Sequence, residues 1–301
     1  MATLTIFTPA YNRAHTIWRT YESLCRQTCK DFEWLIVDDG SVDNTKELVD
    51  GWIAENKIPI RYIYQQNQGM HGAHNTAYKN IETELNTCID SDDYMPDDAV
   101  EQIVSFWRVN GSEKYAGMVG LDVDTKGNII GDKFSDGLRT TTLTSFYDNG
   151  GRGDKKLVYR TDVVKKYPEY PIFEGEKYVG LSAKYIMIDR DWEMLVSNQP
   201  LVVVEYQQDG SSMNMYRQYK KNPRGFVYLR KIILSGNPSF VKAVRHCCHY
   251  IADKLLARQY DIVADSPMPI MTSLMLPFGL GWYAYIQYKN IVSGGKYNKT
   301  I

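Results

Sequence analysis

Three short clusters in this 301-residue chain bring together side chains that could do chemistry. The densest is Asp90-Ser91-Asp92-Asp93, with three carboxylates in four residues. Like charges so close raise one another's pKa and cost stability unless a cation neutralises them. Oxygen donors of this kind suit a hard divalent ion. A calcium loop of the EF-hand type does not fit, because the downstream glycine and glutamate positions do not match. The second cluster is Asp38-Asp39-Gly40-Ser41. A carboxylate there can accept the imide N–H of uracil or a ribose hydroxyl; equally, the segment can be a turn whose Ser41 caps the next helix. The third is Thr8-Pro9-Ala10-Tyr11-Asn12-Arg13. It offers Pro9 and Tyr11 as walls for a flat ring and Arg13 as a phosphate ligand. As plain structure it is a strand-to-helix turn with Asn12 as N-cap.

The elements around these clusters decide whether they meet. Apolar runs at 3–8, 33–37, 60–64, 84–89 and 116–121 read as strands. Helical spacing marks 14–27, 43–54 and 71–81, and a further helix to about 109 that takes Pro96 as its first residue, with Asp97 and Asp98 in its first turn. Short strand–helix alternation predicts a mostly parallel sheet flanked by helices. Ligands of such sheets bind beyond the carboxyl ends of the strands. The three clusters follow the first, second and fourth strands, so they are expected on one edge. Further on, 122–132 reads as a hairpin, 157–159 and 202–206 as strands, 161–166 as a helical turn and 239–260 as a helix.

The C-terminal stretch differs. Residues 266–288 carry no charge, but Pro267, Pro269, Pro277, Gly279 and Gly281 interrupt them. This predicts an interfacial or hydrophobic-hairpin segment, with Trp282, Tyr283 and Tyr285 at headgroup depth and Lys289, Lys296 and Lys299 facing anionic lipid. Packing on the protein's own core, or a homodimer contact, is the plainer role for the run.

Composition narrows the classes. Hydrophobic residues at 44% exclude a disordered chain. A formal net charge of −1 argues against a nucleic-acid partner. Five cysteines without metal-finger spacing read as reduced thiols of a cytosolic protein. Adjacent positions in His246-Cys247-Cys248-His249 point different ways on a helix, so the four do not converge on a metal. The N-terminal residues lack the basic and apolar regions of a signal peptide.

The succession TPAYNR, DDGS, NQGMHGAHN (Asn67 to Asn75) and DSDD resembles the inverting family 2 glycosyltransferases of the GT-A fold, over roughly residues 1 to 210. The resemblance implies a nucleotide-diphospho-sugar donor, most often with uracil, read by Asp38 or Asp39. It makes Asp90-Ser91-Asp92 a DXD motif, with Asp90 and Ser91 near the ribose and Asp90 and Asp92 holding Mn²⁺ or Mg²⁺. Gly69, His71 and Asn75 fall in a segment that meets the phosphates, although His74 and Met70 stand where many relatives carry Arg and Lys. The general base is expected after the DXD motif, in Tyr170-Pro171-Ile172-Phe173-Glu174-Gly175-Glu176-Lys177, with Glu176 the first choice and Glu174 the second; Asp189 and Asp191 are weaker candidates. A loop after 205, with Gly210, Ser211, Ser212, Arg217 and Lys220, would close over the donor. The implied organisation is a GT-A catalytic domain over 1–215 and a membrane-associating helical region over 216–301. The implied acceptor is a glycan or lipid-linked glycan hydroxyl at the cytoplasmic face of the membrane. A nucleotidyltransferase would need a glycine-rich basic loop where TPAYNR stands. A donor-binding module without catalysis would need the DXD motif but no base.

Overall fold

The structure, a computed structural model, describes residues 2–205 and 215–297. In chain order it contains β1 (Leu4–Ala10), α1 (Ile17–Arg26), β2 (Phe32–Asp38), α2 (Thr45–Glu55), β3 (Ile60–Tyr64), α3 (Met70–Asn80), β4 (Leu85–Cys88), α4 (Ala99–Asn110) and β5 (Tyr115–Val123). There follow β6 (Thr140–Thr141), α5 (Leu143–Asp148), β7 (Lys155–Arg160), α6 (Thr161–Lys165), α7 (Ser182–Ile188) and β8 (Glu193–Val203). The chain continues with α8 (Met215–Lys221), α9 (Pro223–Ser235), α10 (Phe240–Leu256) and α11 (Pro269–Tyr297). Two compact units form: Met1–Glu169 with Ile188–Tyr206, and Tyr170–Met187 with Gln207–Ile301.

The first unit is built on an eight-stranded sheet in the order β3-β2-β1-β4-β7-β5-β8-β6. Strands β1, β2, β3 and β4 pair in parallel, as do β5 and β8. β7 and β6 run against their neighbours. β1 is buried along its whole length, as a central strand covered on both faces must be. On α1, Ile17, Tyr21 and Leu24 recur at helical spacing and are buried. Tyr21 stacks on Trp52 of α2 at 4.4 Å between ring centroids, next to Trp34 of β2. Each fully buried side chain of this kind contributes about 1.5–3 kcal/mol, so the face where α1, α2 and α4 meet the sheet anchors the unit.

In the second unit, α8 to α11 enclose two small cores. One gathers Tyr219, Phe226, Ala252 and Ile286; the other gathers Val227, Leu234, Cys247 and Tyr250. Gly279 of α11 packs against Ile251 of α10, where an added Cβ would stand 2.5 Å from the Ile251 Cβ.

Three sequence expectations change. Pro96 does not open a helix: Asp98 is the N-cap and Ala99 the first helical residue. The Pro96 carbonyl instead accepts Gln27 Nε2 at 2.7 Å, and the Asp97 carbonyl accepts Thr28 N–H at 2.8 Å, so this stretch is tied to the end of α1. β8 begins at Glu193, well before the expected strand, because pairing with β5 continues through register shifts. The uncharged run is neither broken nor a hairpin: α11 is one 29-residue helix with Pro277 inside it. The hairpin at 122–132 is present, with Asp124 N–H and Asn128 carbonyl joined at 2.8 Å.

Candidate active site

The loops that follow β1 and β2 are stitched together. Asn12 N–H donates to Ser41 Oγ at 2.8 Å, and Val42 N–H donates to Asn12 Oδ1 at 2.9 Å. Arg13 N–H donates to Thr45 Oγ1 at 3.1 Å and Ala14 N–H to Asp43 Oδ2 at 3.1 Å. Asn12 bridges the loops from a left-handed conformation, φ 54°, which Asn adopts more readily than most residues. Pro9 lies buried at the end of β1, while the Tyr11 ring beyond it is about half exposed.

The third loop is fixed on the second through Asp38 and Asp39, both buried. Asp38 Oδ1 accepts Ser41 N–H at 2.7 Å and Oδ2 accepts the Tyr62 hydroxyl at 2.6 Å. Burial and this carboxylate push the Tyr62 phenol well above its usual range. Asp39 Oδ1 accepts Gln65 Nε2 at 2.7 Å and Gln68 N–H at 2.8 Å; Oδ2 accepts Gly69 N–H at 2.7 Å. Gly69 is the N-cap of α3, so Asp39 holds the entry of that helix. Gly40 is at φ 88°, and a Cβ there would come 2.9 Å from Asn67 N, so the two loops close only around glycine. His71 and Asn75 are buried on α3. His74, also buried, meets the Met70 carbonyl through Nδ1 at 2.9 Å and packs edge-on against Phe7.

The acidic turn follows β4. Asp90 is exposed and Asp92 half-buried, whereas Ser91 and Asp93 are buried. Burial and then the Asp90 charge hold the Asp92 carboxyl above the ordinary range, while Arg13 and His15 pull it down. Asp93 is pushed up to about 8 by burial, Asp90 and Asp92. Its Oδ1 accepts Glu205 N–H at 3.3 Å and its carbonyl accepts the Thr20 hydroxyl at 2.7 Å. The structure therefore brings Tyr11, Arg13, Asp38, Asp39, Gly69 and the acidic turn to one sheet edge, at the carboxyl ends of β1, β2, β3 and β4. Among the described residues, no group of three or more His, Cys, Asp and Glu side chains is placed to hold a metal by itself.

Two residues of this edge carry no sequence signal. Lys156 of β7 donates to the Cys88 carbonyl at 2.6 Å, and its charge acts on Asp93 and Asp122. Asp122 of β5 is buried, its Oδ1 without a hydrogen-bond partner among the described residues, and burial pushes its pKa up to about 6. Both sit in strands, and only the strand order β4-β7-β5 makes them neighbours of the acidic turn.

The segment named for the base lies in the second unit. Glu176 is buried, and its carboxylate caps α9: Oε1 accepts Arg224 N–H at 3.1 Å and Arg224 Nε at 2.8 Å, and Oε2 accepts Gly225 N–H at 3.0 Å. Glu174 is exposed, and its carbonyl accepts from the Arg224 guanidinium. Asp189 accepts Thr144 N–H and hydroxyl at 2.7 and 2.8 Å, and Asp191 accepts the Tyr167 hydroxyl at 2.7 Å. Gly210, Ser211, Ser212 and Lys299 lie outside the described residues; Arg217 and Lys220 are on α8.

Residues 5–167 match the family model described as glycosyl transferase family 2. Over 132 residues the chain is 34% identical to the chondroitin synthase of Escherichia coli, covering 44% of this chain and 19% of that protein. Over 243 residues it is 24% identical to the GalNAc(5)-diNAcBac-PP-undecaprenol beta-1,3-glucosyltransferase of Campylobacter jejuni, covering 77% and 74%. The chain thus spans about a fifth of the length of the first of these relatives. Among solved structures, Staphylococcus aureus TarS 1-349 in complex with UDP-GlcNAc superposes with a TM-score of 0.59 at 18% identity, covering 97% of this chain and 92% of that one. The mannosyltransferase PcManGT of Pyrobaculum calidifontis, in complex with GDP-Man and Mn²⁺, gives 0.54 at 15% identity, covering 96% and 87%. At these identities the likeness is one of fold.

Proposed function

Because the chain belongs to glycosyl transferase family 2 and has its GT-A fold, we propose that this enzyme moves a sugar from a nucleotide-diphospho-sugar, a UDP-sugar first among them, to a hydroxyl of a glycan or lipid-linked glycan, with inversion at the anomeric carbon. The observation that carries this reading is the single sheet edge where three mutually hydrogen-bonded loops meet an acidic turn whose Asp90 and Asp92 reach solvent. The complexes of TarS with UDP-GlcNAc and of PcManGT with GDP-Man support a nucleotide-sugar donor on this fold. The Campylobacter relative, named for a PP-undecaprenol-linked glycan, supports a lipid-linked acceptor, which we place at the cytoplasmic face of the membrane.

Asp90 and Asp92 are the residues that would hold Mn²⁺ or Mg²⁺. The donor set fits: hard oxygens, crowded so that burial and mutual repulsion already disfavour the charged Asp92. Bound there, the ion would neutralise charge on a departing nucleoside diphosphate. Tyr11 and Pro9 would flank the base and Arg13 would face phosphate. Asp38 or Asp39 would read the base, from loops their own hydrogen bonds have already fixed.

The acceptor hydroxyl needs a base as it attacks. Glu176 has both oxygens engaged by α9. We therefore give Glu176 the positioning role and the exposed Glu174 the proton. Calorimetric titration of UDP, GDP and dTDP, each with Mn²⁺, Mg²⁺ or EDTA, tests the donor site. Metal-dependent binding of UDP that disappears in Asp92→Asn is expected; no metal-dependent binding of any nucleotide by folded protein overturns the reading. Glu174→Gln should bind donor and lose transfer. Retained transfer places the base elsewhere.

A further inference from the structure

The near-neutral total charge hides a polarised chain. Residues 1–215 contain 22 Lys and Arg against 33 Asp and Glu, whereas residues 216–301 contain 13 against 3. The basic end also presents apolar surface. On α11, Ile270, Leu274, Phe278, Gly281, Tyr285, Tyr288 and Val292 recur every three to four residues, so they form one stripe. All are exposed: Ile270 is 79% open to solvent, Leu274 63%, Phe278 65% and Tyr288 60%. The stripe is roughly 33 Å long at about 1.5 Å per residue. No charged residue occurs between Ile270 and Tyr288.

Cations frame the stripe. Tyr216 of α8, Arg245 and Cys248 of α10, and Phe278, Gly281 and Tyr285 of α11 line one cavity of about 470 Å³. Its walls are aromatic, with Trp282 stacked on Tyr285 and tilted against His249. Burial, Arg230 and Arg245 lower the His249 pKa to about 4, so its ring is neutral at pH 7. One helical turn from the cavity stands Lys220 on α8, four residues from Tyr216, and on α11 Lys289, whose ammonium lies 5.5 Å over the Tyr285 ring. Lys220, Arg245 and Lys289 form no ion pair among the described residues. On α10, Val241, one turn before Arg245, is 77% exposed.

We propose that this face, the α11 stripe with the Lys220–Arg245–Lys289 frame, is a docking surface for an anionic lipid bilayer, on which α11 lies in the plane of the interface. Several observations select this occupant. An uncharged apolar helix face with cations beside it and the exposed Tyr285 and Tyr288 rings on it is the chemistry of interfacial binding; Trp282 and Tyr283, expected at headgroup depth, instead pack on the core around Tyr219 and Phe226. No helix of the described residues is long and apolar enough to cross a membrane, so α11 lies on a bilayer rather than spanning it. A second copy docking face to face would bring two such basic surfaces together, which like charge opposes. The inference does not depend on the donor or the reaction.

Co-sedimentation with vesicles tests it on the full chain without nucleotide. Vesicles of phosphatidylcholine with 30% phosphatidylglycerol, in about 0.1 M NaCl, should pull the protein down. Pure phosphatidylcholine should bind at least tenfold less, since each cation near an anionic surface is worth roughly fivefold in affinity. Leu274→Glu with Phe278→Glu, both at exposed positions, should lower binding at least tenfold with helicity unchanged by circular dichroism. Arg245→Gln with Lys289→Gln should weaken binding to the anionic vesicles only. Failure of folded wild type to bind anionic vesicles overturns the proposal. So does binding that the paired glutamates leave intact, or a concentration-dependent dimer that the paired glutamates dissolve.

Discussion

Replacing Asp39 by Asn should uncouple the third loop from the second. The carboxylate accepts Gln65 Nε2 and Gln68 N–H on Oδ1 and Gly69 N–H on Oδ2. An asparagine of the same shape offers one acceptor oxygen. Placing it at the Oδ1 position preserves the contacts with Gln65 and Gln68 but turns an NH₂ toward Gly69 N–H. One charge-assisted bond is then lost outright, about 1.5–3 kcal/mol. The two that remain become neutral bonds of roughly half the strength, about 0.5–1 kcal/mol each. The sum is about 2.5–5 kcal/mol, close to the range found when one partner of a buried charged pair is removed. For a unit of this size that is a fall in midpoint of roughly 10 °C. Thermal and urea unfolding, followed by circular dichroism at pH 7.5, would measure it, with nucleotide titration alongside. Stability and nucleotide affinity should fall together, because the entry of α3 is held by the same atoms. An Asp39→Asn protein with an unchanged midpoint and no nucleotide binding would refute the reasoning, since Asp39 would then act on ligand alone.

Two further outcomes follow from the geometry. Asp122, buried and with a pKa raised to about 6, binds its proton more tightly folded than unfolded. Its contribution therefore favours the fold below about pH 4 and is lost as pH rises through about 6. Asp122→Asn should leave stability at pH 4 nearly unchanged and raise it at pH 7.5 by up to about 3 kcal/mol; stability–pH curves that run parallel for the two proteins would contradict this. At Gly225 an added Cβ would stand 2.0 Å from the Tyr178 carbonyl oxygen. Gly225→Ala should force the 170–187 segment off α9, lower stability by about 1–3 kcal/mol and speed proteolysis near Tyr178. An unchanged cleavage pattern and midpoint would mean that the segment yields at no cost.

Much of the first unit is legible because its elements repeat at fixed periods. The runs that became β1, β2 and β3, and the apolar spacing of α1, are visible in the residues, and the placement of the three clusters on one edge follows from the order of strands. What fails is decided by contacts between distant residues. The Pro96 carbonyl accepts both Ala99 N–H and the side chain of Gln27, the residue that caps the end of α1, which ties that stretch to α1 ahead of α4. Pro277 and its neighbouring glycines read as breaks, but Gly279 is where α11 presses on Ile251. Lys156 and Asp122 look like ordinary strand residues until β7 is inserted, reversed, beside β4. Glu176 reads as a chemical group, yet its oxygens are hydrogen-bonded to a helix start 48 residues away.

That last separation matters while the chain is being made. At about 5–20 residues per second, a ribosome needs roughly 2–10 s to pass from Glu176 to Arg224. During this time the first unit's sheet can close, since β8 is complete at Val203, while a carboxylate destined for burial waits in water. A pause or a rare codon between residues 205 and 223 would lengthen that wait and leave the 170–187 strip open to proteases. Synonymous changes there should alter the yield of intact chain without altering a single residue.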